Sequence, residues 1–165
     1  MKHVKIPVVI NLLALARYNN MPAYPIQMMT RGSLSFPDGP GLLLEYKESL
    51  EDDDNGEVTT SDVALNIEEN QVIMFRNGEC MNTMVFDRKH RFEGTYHTPF
   101  GDMDMAVDTR EVSCNMGIEH GRVFLRYLLH FNGNYASTNE LHLEYFSETS
   151  VLRQEETEND ENIAQ

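Results

Sequence analysis

Alternation with a period of two runs almost without interruption from the N-terminal apolar segment to Tyr145, and it limits the chain to extended, half-buried strands. Ile6, Val8, Ile10, Leu12, Ala14 and Ala16 share one side of a first strand, although Val9, Leu13 and Leu15 make the other side apolar too. That run follows a short basic start and resembles a signal peptide. Pro7 and Asn11 interrupt it, so a strand is the preferred reading, and it is too short to span a bilayer as a helix.

The same parity continues downstream. Ile26, Met28, Thr30, Gly32, Leu34 and Phe36 form one side, followed by Leu42, Leu44, Tyr46, Glu48 and Leu50. Later strands read Val63-Leu65-Ile67, Gln71 to Arg76, Met84-Phe86, Phe92-Gly94-Tyr96-Thr98, Met103-Met105-Val107-Thr109, Val123 to Phe131 and Leu141-Leu143-Tyr145. In the Gln71–Arg76 segment, Ile73 and Phe75 compete with Arg76 for the inner side. The runs are separated by Pro37-Asp38-Gly39-Pro40-Gly41, Asn55-Gly56, Asn77-Gly78, Arg88-Lys89-His90, Pro99-Phe100-Gly101 and Asn132-Gly133-Asn134. Asn-Gly is the strongest short hairpin signal, because both residues tolerate positive φ. No helical period and no internal repeat compete with this pattern.

Many strands joined by tight turns predict an antiparallel meander. A meander of that length must close to hide its edges. The expected fold is therefore all-β: a closed antiparallel barrel of eight to ten strands over residues 1–146. Residues 147–165 hold six acids, one Arg and four aliphatic residues. Such a segment buries too little apolar area to offset its ordering entropy, and is expected to be a disordered acidic tail.

The chain has 165 residues, enough for one core, and carries 27 acidic against 13 basic side chains for a net charge of −14. That field repels phosphate backbones and anionic membrane surfaces, so neither nucleic acid nor membrane is an expected partner. Cys80 and Cys114 lack paired spacing, which fits free thiols in a reducing, cytoplasmic setting. Nothing in the sequence speaks to oligomeric state.

No nucleotide-loop or hydrolase motif is present, and no catalytic spacing. The histidines His3, His90, His97, His120, His130 and His142 lack metal-ligand spacing, and His97, His130 and His142 fall on the outer side. Glu51, Asp53, Asn55, Gly56, Glu57 and Asp62 imitate the positions of a calcium loop, with Val58 at the apolar eighth. The first ligand is Glu, the last is the shorter Asp, and strands flank the loop, so a solvated hairpin tip is the preferred reading. No metal or cofactor is expected.

The informative feature is a set of polar side chains on the inner parity: Thr30, Tyr46, Glu48, Tyr96, Thr98, Thr109 and Tyr127, with Arg76 joining them if its strand is read that way. A buried Glu48 requires a partner, and Arg76 or the tyrosine hydroxyls are the available donors. Gly32 and Gly94 are expected to leave room in the lumen. Space with convergent polar groups describes a small-molecule pocket, so these eight residues form the expected ligand site. The competing expectation is a filled barrel whose polar network holds register and whose partners meet its outer face, the acidic loop or the tail. A Glu/Tyr/Arg cluster could do acid–base work, but its spacing names no reaction.

Several of these residues recur as ordered motifs: Thr30-x-Gly32, Tyr46-x-Glu48, Arg76-x-Gly78, Met84-x-Phe86, Tyr96-x-Thr98-Pro99-x-Gly101, Thr109 and Gly121-x-Val123-x-Leu125-x-Tyr127. In this order they resemble the YwiB-like family over about residues 3–146. The Tyr-x-Thr-Pro-x-Gly run is the most specific element. The apolar first strand, the acidic loop at 51–57 and the acidic tail depart from the family pattern. The resemblance implies a calycin-type barrel similar to lipocalins, of bacterial and cytoplasmic origin. It implies no activity.

Overall fold

The structure is a computed structural model that describes residues 4–19, 21–51 and 55–149. Ten antiparallel strands form one sheet: β1 Ile6–Arg17, β2 Tyr24–Ser35, β3 Leu42–Glu51, β4 Val58–Ile67, β5 Gln71–Asn77, β6 Asn82–Asp87, β7 Phe92–Thr98, β8 Gly101–Asn115, β9 His120–Phe131 and β10 Asn134–Ser147. Their order across the sheet is β6-β5-β4-β3-β2-β1-β10-β9-β8-β7. Every link except the β1–β10 pair therefore joins consecutive strands. The apolar N-terminal run is the middle of the sheet: β1 lies between β2 and β10, with Ile10 opposite Thr30 on one side and Tyr145 on the other.

The sheet curls until its ends, β6 and β7, meet through a single bridge. Met81 and His97 exchange two backbone hydrogen bonds of 3.0 and 2.9 Å. Beyond that bridge no further β6–β7 ladder forms among the described residues, so the barrel is nearly closed, with a seam. The inner parity of each strand supplies one continuous core, which includes Val8, Ile10, Leu34, Leu44, Leu65, Phe86, Leu125 and Tyr145. On β5 the even parity faces inward: Val72 and Met74 are buried, Phe75 is exposed, and Arg76 points into the barrel.

Turn chemistry agrees with the sequence at most hairpins. Asn132 and Gly133 both have positive φ, as a two-residue turn between Phe131 and Asn134 needs. Asn77-Gly78 behaves differently. β5 and β6 are joined by the four residues 78–81, and Gly78 does not have positive φ. Its lack of a side chain matters for another reason, since a Cβ there would press on Ser61 of β4.

Two lumen expectations need correction. Gly32 does not open space: a Cβ at this position would overlap the Glu45 carbonyl, so the glycine lets β2 approach β3 closely. Gly94 does leave a gap, but the ring of Phe92 lies over it. In β8 the register shifts between Thr109 and Glu111, and inward parity passes from odd to even, which turns Val112 and Cys114 toward the core. Of the calcium-like positions, Asp53 lies outside the described residues, and Asp62 sits on β4 opposite Lys47 instead of closing a loop. No cluster of three metal-ligating side chains occurs among the described residues. Strand β10 carries through to a buried Ser147. Residues 150–165, most of the expected tail, are outside the described part.

Candidate functional site

Inside the barrel, a partly enclosed cavity of about 390 Å³ is lined from eight strands. Five of the eight polar residues expected from parity meet there: Tyr46 and Glu48 from β3, Arg76 from β5, Tyr96 from β7 and Tyr127 from β9. Its apolar walls are Leu12, Ala14, Leu129, Phe131 and Leu141, with four methionines, Met74, Met84, Met103 and Met105. Methionine side chains adapt their shape more readily than branched ones, so this wall tolerates varied occupants.

Glu48 and Arg76 are the charged centre. Glu48 faces Ser61 and Arg76 faces Val63 on the intervening strand β4, so both reach over β4 from opposite sides. The Arg76 guanidinium donates from Nη2 to Glu48 Oε2 at 3.1 Å, with only 23% and 14% of the side chains exposed. Desolvation alone would lower the Arg76 pKa. The charge and hydrogen bond of Glu48 outweigh it and hold the guanidinium above its ordinary value. The two side chains form a close, largely buried ion pair.

Tyrosine hydroxyls surround the pair. Burial pushes Tyr127 up to about 12, with Arg76 pulling it back and Glu48 adding to the rise. Burial also raises Tyr96 to about 12, helped by a hydrogen bond with Cys80, and raises Tyr46. The rings are fixed by neighbours: Tyr127 tilts on Phe86 at 4.7 Å and Tyr96 meets the edge of Phe131 at 5.7 Å.

These shifts carry a pH prediction. An unfolded tyrosine ionises near pH ~10. Tyr127 and Tyr96 stay protonated in the barrel until about 12. Between those values the folded chain binds more protons than the unfolded one, so stability falls as pH rises. Each shifted tyrosine removes up to about 1.4 kcal/mol per pH unit in that window. Denaturant midpoints measured from pH 8 to 12 are expected to hold level and then drop steeply above ~10. A flat profile would show the phenols to be solvated.

Three expected site residues do not line the cavity. Thr30 hydrogen-bonds backbone carbonyls, reaching Lys47 at 3.4 Å. Thr98 shapes the β7–β8 turn, donating to the Gly101 carbonyl at 2.7 Å and accepting from Phe100 N–H at 3.1 Å. Thr109 is buried beside the β8 bulge, away from the lining. Parity placed them inward, but Thr30 and Thr98 spend their hydroxyls on backbone groups, and Thr109, although opposite Tyr127, lies outside the lining.

One polar lining residue was missed. Asn82 opens β6 directly opposite Arg76 and is 7% exposed. Its even parity matches Met84 and Phe86, and that pattern was the available signal. Arg76 and Asn82 also border a second hollow of about 520 Å³ outside the β6–β7 seam, together with Thr83, Phe92, Gly94 and Thr95. Arg76 and Asn82 therefore lie between the interior cavity and this hollow.

A ten-strand meander barrel with a polar cluster set in a methionine-lined interior defines the class. Residues 17–143 match the family described as "Domain of unknown function (DUF1934)", and the chain belongs to that family. Its fold is similar to that in the crystal structure of ywiB protein from Bacillus subtilis, with a TM-score of 0.67 and 17% identity over 87% of this chain and 92% of that one. The likeness at that identity is one of fold, as the ordered motifs implied. No curated protein matches the chain.

Proposed function

We propose that the chain is a binding module for a small, partly apolar molecule held inside the barrel. The observation that carries this reading is a cavity of about 390 Å³ in which Glu48, Arg76 and three tyrosines converge against an apolar wall. The volume falls at the lower end of the range for small-molecule sites. A barrel built only for its outer surface has no need for such a space, because void removes packing contacts. In this reading Glu48 and Arg76 fix the polar end of the ligand, and the methionines accommodate its body. The meander order supports a calycin-type comparison. The two free thiols support a reducing, cytoplasmic compartment. Among the described residues, no helix is long and apolar enough to cross a membrane.

Native mass spectrometry of the purified chain and a thermal-shift screen against metabolites test the proposal. A true ligand at a hundredfold its Kd stabilises by about 2.7 kcal/mol, which raises Tm by roughly 5–10 °C for a chain of this size. Ala14→Leu, which fills part of the cavity from β1, is expected to weaken that ligand about tenfold or more while the barrel stays folded. Bare protein in the spectrometer together with no thermal shift from any metabolite would sink the reading.

A further inference from the structure

Two polar atoms in the cavity wall have no partner within the protein. Arg76 uses Nη2 on Glu48, but its Nε is buried without a hydrogen bond. Asn82 Oδ1 is also buried without one, on a side chain that is 7% exposed. The two residues are direct cross-strand neighbours and both line the cavity. Leaving a buried donor and a buried acceptor unmatched is costly for folding alone. Side by side, they describe the complement of a ligand.

An N–H donor beside a carbonyl acceptor matches a group that offers an acceptor beside a donor. A primary amide or a lactam edge does this with one planar group. A carboxylate does not, since its second oxygen would face Asn82 Oδ1. Charge points the same way. Arg76 is already neutralised by Glu48 at 3.1 Å, so an anion would bring an uncompensated charge beside Glu48 in a weakly solvated space. The surrounding tyrosines are held in their neutral form. We infer that the cavity takes a neutral molecule with an amide or lactam edge, its carbonyl accepting from Arg76 Nε and its N–H donating to Asn82 Oδ1. Its apolar body packs against Met74 and Met84, which are themselves a cross-strand pair. This rests on the binding-module reading and specifies the ligand class for it.

The test is a matched probe series of benzamide, benzoate, methyl benzoate and toluene, read by methionine methyl NMR. Benzamide is expected to shift the Met74 and Met84 methyls and to bind about tenfold more tightly than benzoate or the ester. Asn82→Leu is expected to erase that preference. It should also melt no lower than the parent when ligand-free, because it removes an unmet polar atom. Benzoate binding as tightly as benzamide, or a lower melting point for Asn82→Leu, overturns the amide inference and leaves the binding module standing. Methyl signals untouched by all four probes, toluene included, overturn both.

Discussion

Arg76→Met alone is expected to destabilise the barrel by about 2–3 kcal/mol, and adding Glu48→Leu is expected to return it to within about 1 kcal/mol of the parent. The single change leaves the Glu48 carboxylate mostly buried, 14% exposed, with no cation beside it. Its neighbours are then Tyr46 and Tyr127, which offer hydroxyls but no charge. Removing one partner of a fully buried pair costs about 3–5 kcal/mol, and the partial exposure here reduces that figure. The double change removes both desolvation costs and fills the space with apolar atoms. Urea unfolding of the four proteins in the cycle measures the effect, with the slope m checked for constancy. A single-variant loss below about 0.5 kcal/mol would mean that the pair is effectively in water. The same double variant should lose ligand binding, which separates a site that is needed for function from one needed for folding.

Gly121→Ala is expected to destabilise the barrel by about 3–4 kcal/mol. Gly121 on β9 lies opposite Tyr145 on β10, whose ring is fully buried. A Cβ at position 121 would overlap the Cζ and hydroxyl of that ring. The ring cannot step aside, because its hydroxyl donates to the Gly117 carbonyl at 2.7 Å and accepts from the Gly117 N–H at 3.2 Å. Overpacking alone costs about 1–3 kcal/mol, and each lost hydrogen bond adds about 1. Gly39→Ala is the control. Nothing lies within 4 Å of a Cβ there, so its unfolding midpoint should match that of the parent. A Gly121→Ala midpoint close to the parent would show that β9 and β10 can separate locally without loss.

Much of the site was legible because parity is a strict rule within a strand. Tyr46, Glu48 and Tyr127 follow from apolar residues two positions away and Tyr96 from Phe92 on the same parity, and all four line the cavity. Arg76 was ambiguous in sequence because Ile73 and Phe75 are as apolar as Val72 and Met74. Pairing with β4 and β6 settles it: Met74 stands opposite Leu65 and Met84, both of which face the core. Parity says nothing about depth along the barrel. Nor does it say that an inward hydroxyl will line the cavity: Thr30 and Thr98 bond backbone groups, and Thr109 is buried beside the β8 bulge although it stands opposite Tyr127. One glycine was misread for a related reason. Gly32 looked like lumen space, yet it admits a close neighbour from the adjacent strand.

From residue order alone came a range of eight to ten strands, most of the turns and inward faces, and the all-β class, because side-chain direction in a strand depends only on local backbone geometry. Tertiary structure decided that β1 lies between β2 and β10, that the sheet ends meet at one bridge, and that Asn82 stands beside Arg76. Those facts depend on curvature and on register between strands far apart in sequence. Both arise from the summed packing of the whole core, and no single segment encodes them.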